Sequence, residues 1–354
     1  MLYQTENQHG GDVYGGGITL DFSANTNPLG TPPGVLEAVC RALPRLHRYP
    51  DPYCRRLVQA IAGHEQVPAS YILCGNGAAD LIYTYCAALR PRTAVELAPT
   101  FVEYGAGLAQ VGCRVERYFL HQAQNFDLDE RFLSFLEEKK PEVVFLCNPN
   151  NPTGRLIPLP LLEQILQYCA AQGARLFLDE CFLDLTEDGV SAKSLLAAHP
   201  ELLILKAFTK SYGMAGIRLG YCLCADNALL HDMAAASPPW NVSTPAQSAG
   251  VAALAERDFL QRTLSLVHTE RRWLTDNLTA LGFWVCPSHA NYLLFRGPLG
   301  LREGLLQQGI AIRGCGNYNG LGDGWYRIAV RPHGENEALI TAIRQFCKEK
   351  SLWQ

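Results

Sequence analysis

From about residue 70 the chain alternates between short apolar runs and longer segments in which apolar positions recur every three or four residues. Residues 71–74 form a strand-like run, broken by Gly75-Asn76-Gly77, and Ala78–Leu89 then carries helical spacing. Residues 93–97 read as a strand. Val143–Cys147 is apolar throughout, as a strand covered on both faces would be, and it closes on Asn148-Pro149-Asn150-Asn151-Pro152. Leu159–Gln172 reads as a helix and 175–178 as a strand running into Asp179-Glu180, with two more strands at 202–205 and 219–224. Strands alternating with helices predict a parallel α/β sheet with right-handed crossovers. Beyond Pro238-Pro239 the pattern changes. Residues 244–281 hold one or two long helices, and strands at 291–295, 310–313 and 326–331 mix with helices at 301–308 and 335–350. The prediction is an arm (1–35) packing near a small α+β lobe (241–354), and a large lobe (36–240) between them in sequence.

Composition narrows the function classes. The 354 residues are 48% hydrophobic and 18% charged, enough for a large core divided into lobes. A net charge of −4 lacks the basic surplus of a nucleic-acid binder. No apolar run reaches membrane-spanning length, and the polar start MLYQTENQHGGDVYGGG lacks the layout of a signal peptide, so a cytoplasmic location is expected. The 13 cysteines sit in apolar contexts without zinc or redox spacing and read as small buried hydrophobes; no metal is expected.

In open parallel sheets ligands bind beyond the carboxyl ends of the strands, and the polar motifs fall there. Gly75-Asn76-Gly77-Ala78-Ala79 joins a strand to a helix start, whose free amides bind anions, although an ordinary turn explains it as well. Asp179 ends an apolar strand; it is either a helix cap or the partner of a buried cationic group. Lys210 and Arg218 stand in AFTKSYGMAGIRLGY, a small and apolar setting with no acid. A lysine so placed has a lowered pKa and attacks carbonyls, whereas Arg218 keeps its charge and suits a phosphate. A ligand with an aldehyde for Lys210, a phosphate for the amides of Ala78 and Ala79 and for Arg218, a ring nitrogen for Asp179 and a polar substituent for Asn151 would satisfy all of them. Pyridoxal 5′-phosphate has these groups.

CNPNNPTG (147–154), LDE (178–180) and TKSYGMAGIRLGY (209–221) resemble the fold-type-I pyridoxal-phosphate enzymes of the aminotransferase superfamily over nearly the whole chain. The resemblance implies a mostly parallel seven-stranded sheet between helices, plus a small α+β domain. It implies Lys210 as the lysine bound to the cofactor aldehyde, Asp179 on the ring nitrogen and Asn151 on the ring 3-hydroxyl. Tyr104 would stack on the ring, and Gly77, Ala78, Thr209 and Arg218 would surround the phosphate. A homodimer is implied, with Tyr53 reaching the partner subunit's cofactor phosphate; a surface turn tyrosine is the equal alternative.

Within the superfamily, HGGDVY (9–14), LDFSANTNPLG (20–30), DECFLDL (179–185), ANYLLFR (290–296) and IRGCGNYNGLGDGWYRIAVR (312–331) are most similar to the threonine-phosphate decarboxylases of cobalamin biosynthesis. Histidinol-phosphate aminotransferases come next; they usually carry tyrosine where Phe182 stands. The resemblance implies a phosphorylated amino acid as substrate, enclosed by His9, Gly10, Asn27 and Asn151, with Arg313 and Arg327 on its anionic groups and Arg331 as a further candidate. Two departures concern the cofactor phosphate: Ala207, where a hydroxyl residue is common, and Ala78-Ala79 in place of a Glu-Thr pair.

Overall fold

A computed structural model describes residues 9–350. In chain order its strands are β1 (Leu20–Asp21), β2 (Ile72–Gly75), β3 (Thr93–Ala98), β4 (Arg114–Phe119), β5 (Val143–Cys147), β6 (Arg175–Asp179), β7 (Leu202–Ala207) and β8 (Gly220–Cys224). The C-terminal part adds β9 (Trp284–Val285), β10 (Tyr292–Arg296), β11 (Ile310–Ala311), β12 (Arg313–Gly314) and β13 (Trp325–Ala329). β2 to β8 form one seven-stranded sheet in the order 2-8-7-6-5-3-4, in which β8 alone runs antiparallel to its neighbours. The chain between β7 and β8 holds only the short helices Phe208–Ser211 and Ala215–Ile217, and it folds back rather than crossing over.

Alternation along the central strands fixes what each face buries. Val144 and Leu146 of β5 and Leu176 and Leu178 of β6 pack with Leu162, Ile165 and Leu166 of the helix Leu159–Gln172. Val143, Phe145 and Phe177 point the other way, into a cluster with Leu81, Ile82 and Tyr85 of the helix Ala78–Leu89. Both faces are covered, which is why these strands read as unbroken apolar runs.

The small sheet, in the order 12-13-10-9, is antiparallel, and its core joins Leu274, Phe295, Ile328, Leu339 and Ile343. β1 of the arm pairs in parallel with β11, placing Leu20 against Ile310 and Asp21 against Ala311. The helix Thr244–Ala255 packs on the helices Pro33–Ala42 and Arg55–Glu65. Among the described residues no helix is long and apolar enough to cross a membrane.

Candidate active site

The carboxyl ends of β2, β5, β6 and β7 deliver their polar residues to one pocket of about 210 Å³. Its wall includes Ala78 and Ala79, Asn151, Asp179, Thr209 with Lys210, and Arg218. The arm contributes His9, Gly10 and Asn25, and the small lobe contributes Arg313 and Arg327. Residues far apart in sequence thus meet because three layers of the fold meet here.

Lys210 sits in the single helical turn Phe208–Ser211, directly after β7. Burial lowers its pKa to about 8; Arg327 and Arg218 push it the same way, against Asp179 and Cys181. Its Nζ lies 5.7 Å from the centre of the Phe182 ring. Asp179 ends β6 and is buried. Burial raises its pKa, opposed by the Cys181 thiol and backbone N–H, the Tyr104 hydroxyl and the charge of Lys210. The Cys181 N–H donates to Oδ1 at 2.9 Å and the Tyr104 hydroxyl to Oδ2 at 2.6 Å.

Across the pocket the helix Ala78–Leu89 starts at Gly77, whose φ of +89° suits glycine. A Cβ at Gly77 would lie 2.7 Å from Nη2 of Arg218, so only glycine lets that guanidinium approach the helix start. The free amides at Ala78 and Ala79 and the adjacent Arg218 make an anion-binding corner. On the small-lobe side, Arg327 is buried and donates to Oδ1 of Asn151 and, at 2.9 Å, to the carbonyl of Ser23. Arg313 lines the same side, donating to Asn317 at 2.7 Å and lying over the Tyr318 ring. His9 bonds Glu103 at 2.7 Å and holds the arm tip over the pocket.

Three sequence-predicted residues, Tyr104, Asn27 and Arg331, lie outside the pocket. Tyr104 is fully buried behind Asp179, and Phe101, three residues earlier and just before the helix, lines the pocket in its place. Asn27 is spent on Ser211 and Thr263 outside the pocket; Asn25 lines it instead, buried and with both ends of its amide unbonded. Arg331 pairs with Glu335 in the first turn of the C-terminal helix, away from the pocket. Tyr53 is 69% exposed and touches Arg55. Sequence reasoning also missed Ser23, Cys147 and Cys181, which line the pocket from beside predicted residues.

The residues fit pyridoxal 5′-phosphate: an amine for its aldehyde, a buried carboxylate for its ring nitrogen, an anion corner for its phosphate, and the unbonded Asn25 amide left for a second ligand. Thr209 lines the phosphate corner beside Ala207, offering a hydroxyl where Ala207 has none. Among the described residues no trio of His, Cys, Asp or Glu is placed to hold a metal.

The chain is similar to known proteins along most of its length. The chain is 40% identical over 331 residues to threonine-phosphate decarboxylase of Salmonella typhimurium, covering 92% of this chain and 90% of that protein. It is 33% identical over 350 residues to histidinol-phosphate aminotransferase of a Geobacillus species, covering 96% and 93%. The crystal structure of histidinol-phosphate aminotransferase from Clostridium acetobutylicum superposes with a TM-score of 0.87 at 28% identity, over 93% of this chain and 99% of that one. Residues 18–346 match the family described as aminotransferase class I and II, and the chain belongs to that family.

Proposed function

We propose that this chain is a pyridoxal 5′-phosphate enzyme that decarboxylates L-threonine O-3-phosphate, releasing CO₂ and 1-amino-2-propanol O-2-phosphate. The observation that carries the reading is the division of cations in the pocket. Arg218 and the helix start would hold one anionic end, while Arg313 and Arg327 line the small-lobe side, where a second would bind. A ligand and a substrate that each bring a phosphate match that division. The 40% identity to a threonine-phosphate decarboxylase supports it further.

The bound cofactor supplies an electron-withdrawing ring that accepts the electron pair of the bond broken at the substrate Cα. Which bond breaks is decided by the protein. Arginines engaged with the substrate phosphate would leave its carboxylate unclamped and free to depart as CO₂, whereas arginines holding a carboxylate would keep it in place and favour loss of the Cα proton. Asn25 and His9 close the substrate end, and Phe101 and Phe182 exclude water. Lys210, with a pKa of about 8, is suited to return a proton to Cα after CO₂ leaves.

Incubation with phosphothreonine, with and without 2-oxoglutarate, tests the reading. CO₂ release that needs no oxo-acid is expected. Glutamate formation that depends on the oxo-acid would replace it with the aminotransferase reading.

A further inference from the structure

The turn that carries Lys210 makes few bonds of its own. Tyr212 N–H donates to Phe208 at 3.1 Å, and Gly213 N–H reaches the Lys210 carbonyl only at 3.4 Å. The remaining support comes from the arm. Asn27 is 1% exposed, and its Nδ2 donates to the Ser211 carbonyl at 2.7 Å and to the Thr263 hydroxyl at 2.9 Å. Its Oδ1 accepts from the Leu29 N–H at 2.8 Å. Thr31 donates to the Gly213 carbonyl at 2.8 Å. Gly213 has φ +61°, and a Cβ there would stand 2.6 Å from the Gly30 carbonyl oxygen, so arm and turn touch backbone to backbone.

The turn is also held from behind. The Ser211 hydroxyl donates to Asp184 at 2.9 Å, and Asp184 pairs with the buried Lys206 at 3.1 Å. Thr263 belongs to the long helix Phe259–Ala280, whose C-terminal half packs into the small lobe. One amide therefore joins the arm, the turn and the long helix, and it does so outside the pocket.

We propose that Asn27 is a positioning residue for Lys210: one donor fixes the Ser211–Tyr212 peptide and the other ties it to Thr263, so that seating the arm and aiming the amine are one event. The proposal rests on the reading of Lys210 as the reactive amine. An asparagine suits the task because one planar group offers both donors in a fixed direction. Without it the Ser211 carbonyl and the Thr263 hydroxyl lose a buried partner, and the turn must move to find water.

The test uses the full-length protein and the variants Asn27→Ala, Asn27→Asp and Thr31→Val. Asn27→Asp keeps the acceptor for Leu29 but removes both donors. The first readout is hydrogen exchange across residues 208–217, expected to quicken roughly tenfold in both Asn27 variants, as loss of a buried hydrogen bond would give. Val143–Cys147 should exchange unchanged. The second readout is the pH profile of Lys210 acetylation by acetic anhydride. Its midpoint should rise from about 8, because water relieves the burial that lowers the lysine while Asp179, Cys181, Arg218 and Arg327 are unaltered. Thr31→Val, which removes one bond to the same turn, should show smaller changes of the same sign and serves if Asn27→Ala does not fold. Unchanged exchange and an unchanged midpoint in the variants that fold would overturn the proposal, as would acceleration spread evenly over the chain. Borohydride treatment of the wild-type protein with pyridoxal 5′-phosphate examines the other reading separately. If no pyridoxyl adduct forms on Lys210, the lysine's role fails while the exchange result still decides the clamp.

Discussion

Asp179 poses the hardest electrostatic problem among the single residues, because it must stay ionised where burial favours its neutral form. Tyr104 answers part of it with a 2.6 Å donor to Oδ2. Tyr104→Phe removes a hydrogen bond to a charged group, worth about 1.5–3 kcal/mol. Pyridoxal 5′-phosphate affinity, followed by fluorescence titration, should fall by roughly 10- to 100-fold. An unchanged dissociation constant would show that Cys181 suffices alone. Lys210 gives a second prediction. Below about pH 8 its amine is protonated and cannot attack an aldehyde, so the rate of borohydride-trappable adduct formation should fall as pH drops through 8. Arg327→Gln removes a cation that lowers this pKa; the midpoint should then move up, and the rate at pH 7 should drop. Lys210, Asp179 and Arg218 were legible because a charge in an apolar stretch demands a partner, and Arg327 only through the family resemblance. Asn25 and Phe101 were not. Asn25 and Asn27 lie in irregular chain, and Phe101 stands just before the helix Glu103–Gln110 that holds Tyr104, so no periodicity assigns either pair a side. Only the packed neighbours decide which member faces the pocket.

Among the elements, β5 and the helix Leu159–Gln172 were legible to the residue, the first as an unbroken apolar run and the second between Pro158 and Gly173. β4 was not, because Arg114–Phe119 is a half-exposed edge strand whose polar residues mask its pairing with β3. The run at 310–313 hides a division of labour: β11 pairs with the arm, and β12, one residue later, pairs with β13. Pairing partners leave no periodic trace. A charge network shows how the helix Arg55–Glu65 is tied to the sheet. Glu65 bonds Lys206 at 3.0 Å, Lys193 at 2.8 Å and the Tyr221 hydroxyl at 2.5 Å. Burial pushes its carboxyl up, but these partners outweigh burial and hold it at about 2, against 4.5 ordinarily. Such a depressed group stabilises the fold fully above its ordinary pKa, and the contribution is lost as pH falls towards 2. Glu65→Gln removes one of the two carboxylates on the buried Lys206, leaving Asp184 at 3.1 Å, and should cost about 3 kcal/mol in urea unfolding at pH 7, the low end for a broken buried pair. The gap between variant and wild type should narrow as pH falls from 5 to 3. A constant gap would mean that the charge of Glu65 is not what stabilises the helix.

For the whole molecule, the question is what covers its exposed apolar side chains. Leu36, Leu43, Leu46, Tyr49 and Tyr53 are all between 47% and 78% exposed, within one short stretch of chain. Trp240, 45% exposed, stacks on Tyr49 at 4.5 Å. Isolated exposed leucines need no explanation; for this concentration we propose a contact surface. The family resemblance points to a second copy of the chain, with Tyr53 reaching the partner subunit's cofactor phosphate. That arrangement gives Tyr53 a role the lone chain does not, since here its ring lies against the Arg55 guanidinium. Sedimentation velocity of the wild-type protein should then show a dimer at micromolar concentration. Leu46→Asp combined with Tyr49→Asp should give a folded monomer, because burying two new carboxylates in an apolar contact costs more than the contact returns. If Tyr53 serves the neighbouring site, that monomer should also bind pyridoxal 5′-phosphate more weakly, and Tyr53→Phe in the intact dimer should lose affinity without dissociating. A wild-type monomer would refute the assembly. A dimer unaffected by the double variant would place the contact on another face and return Tyr53 to the role of a surface turn residue.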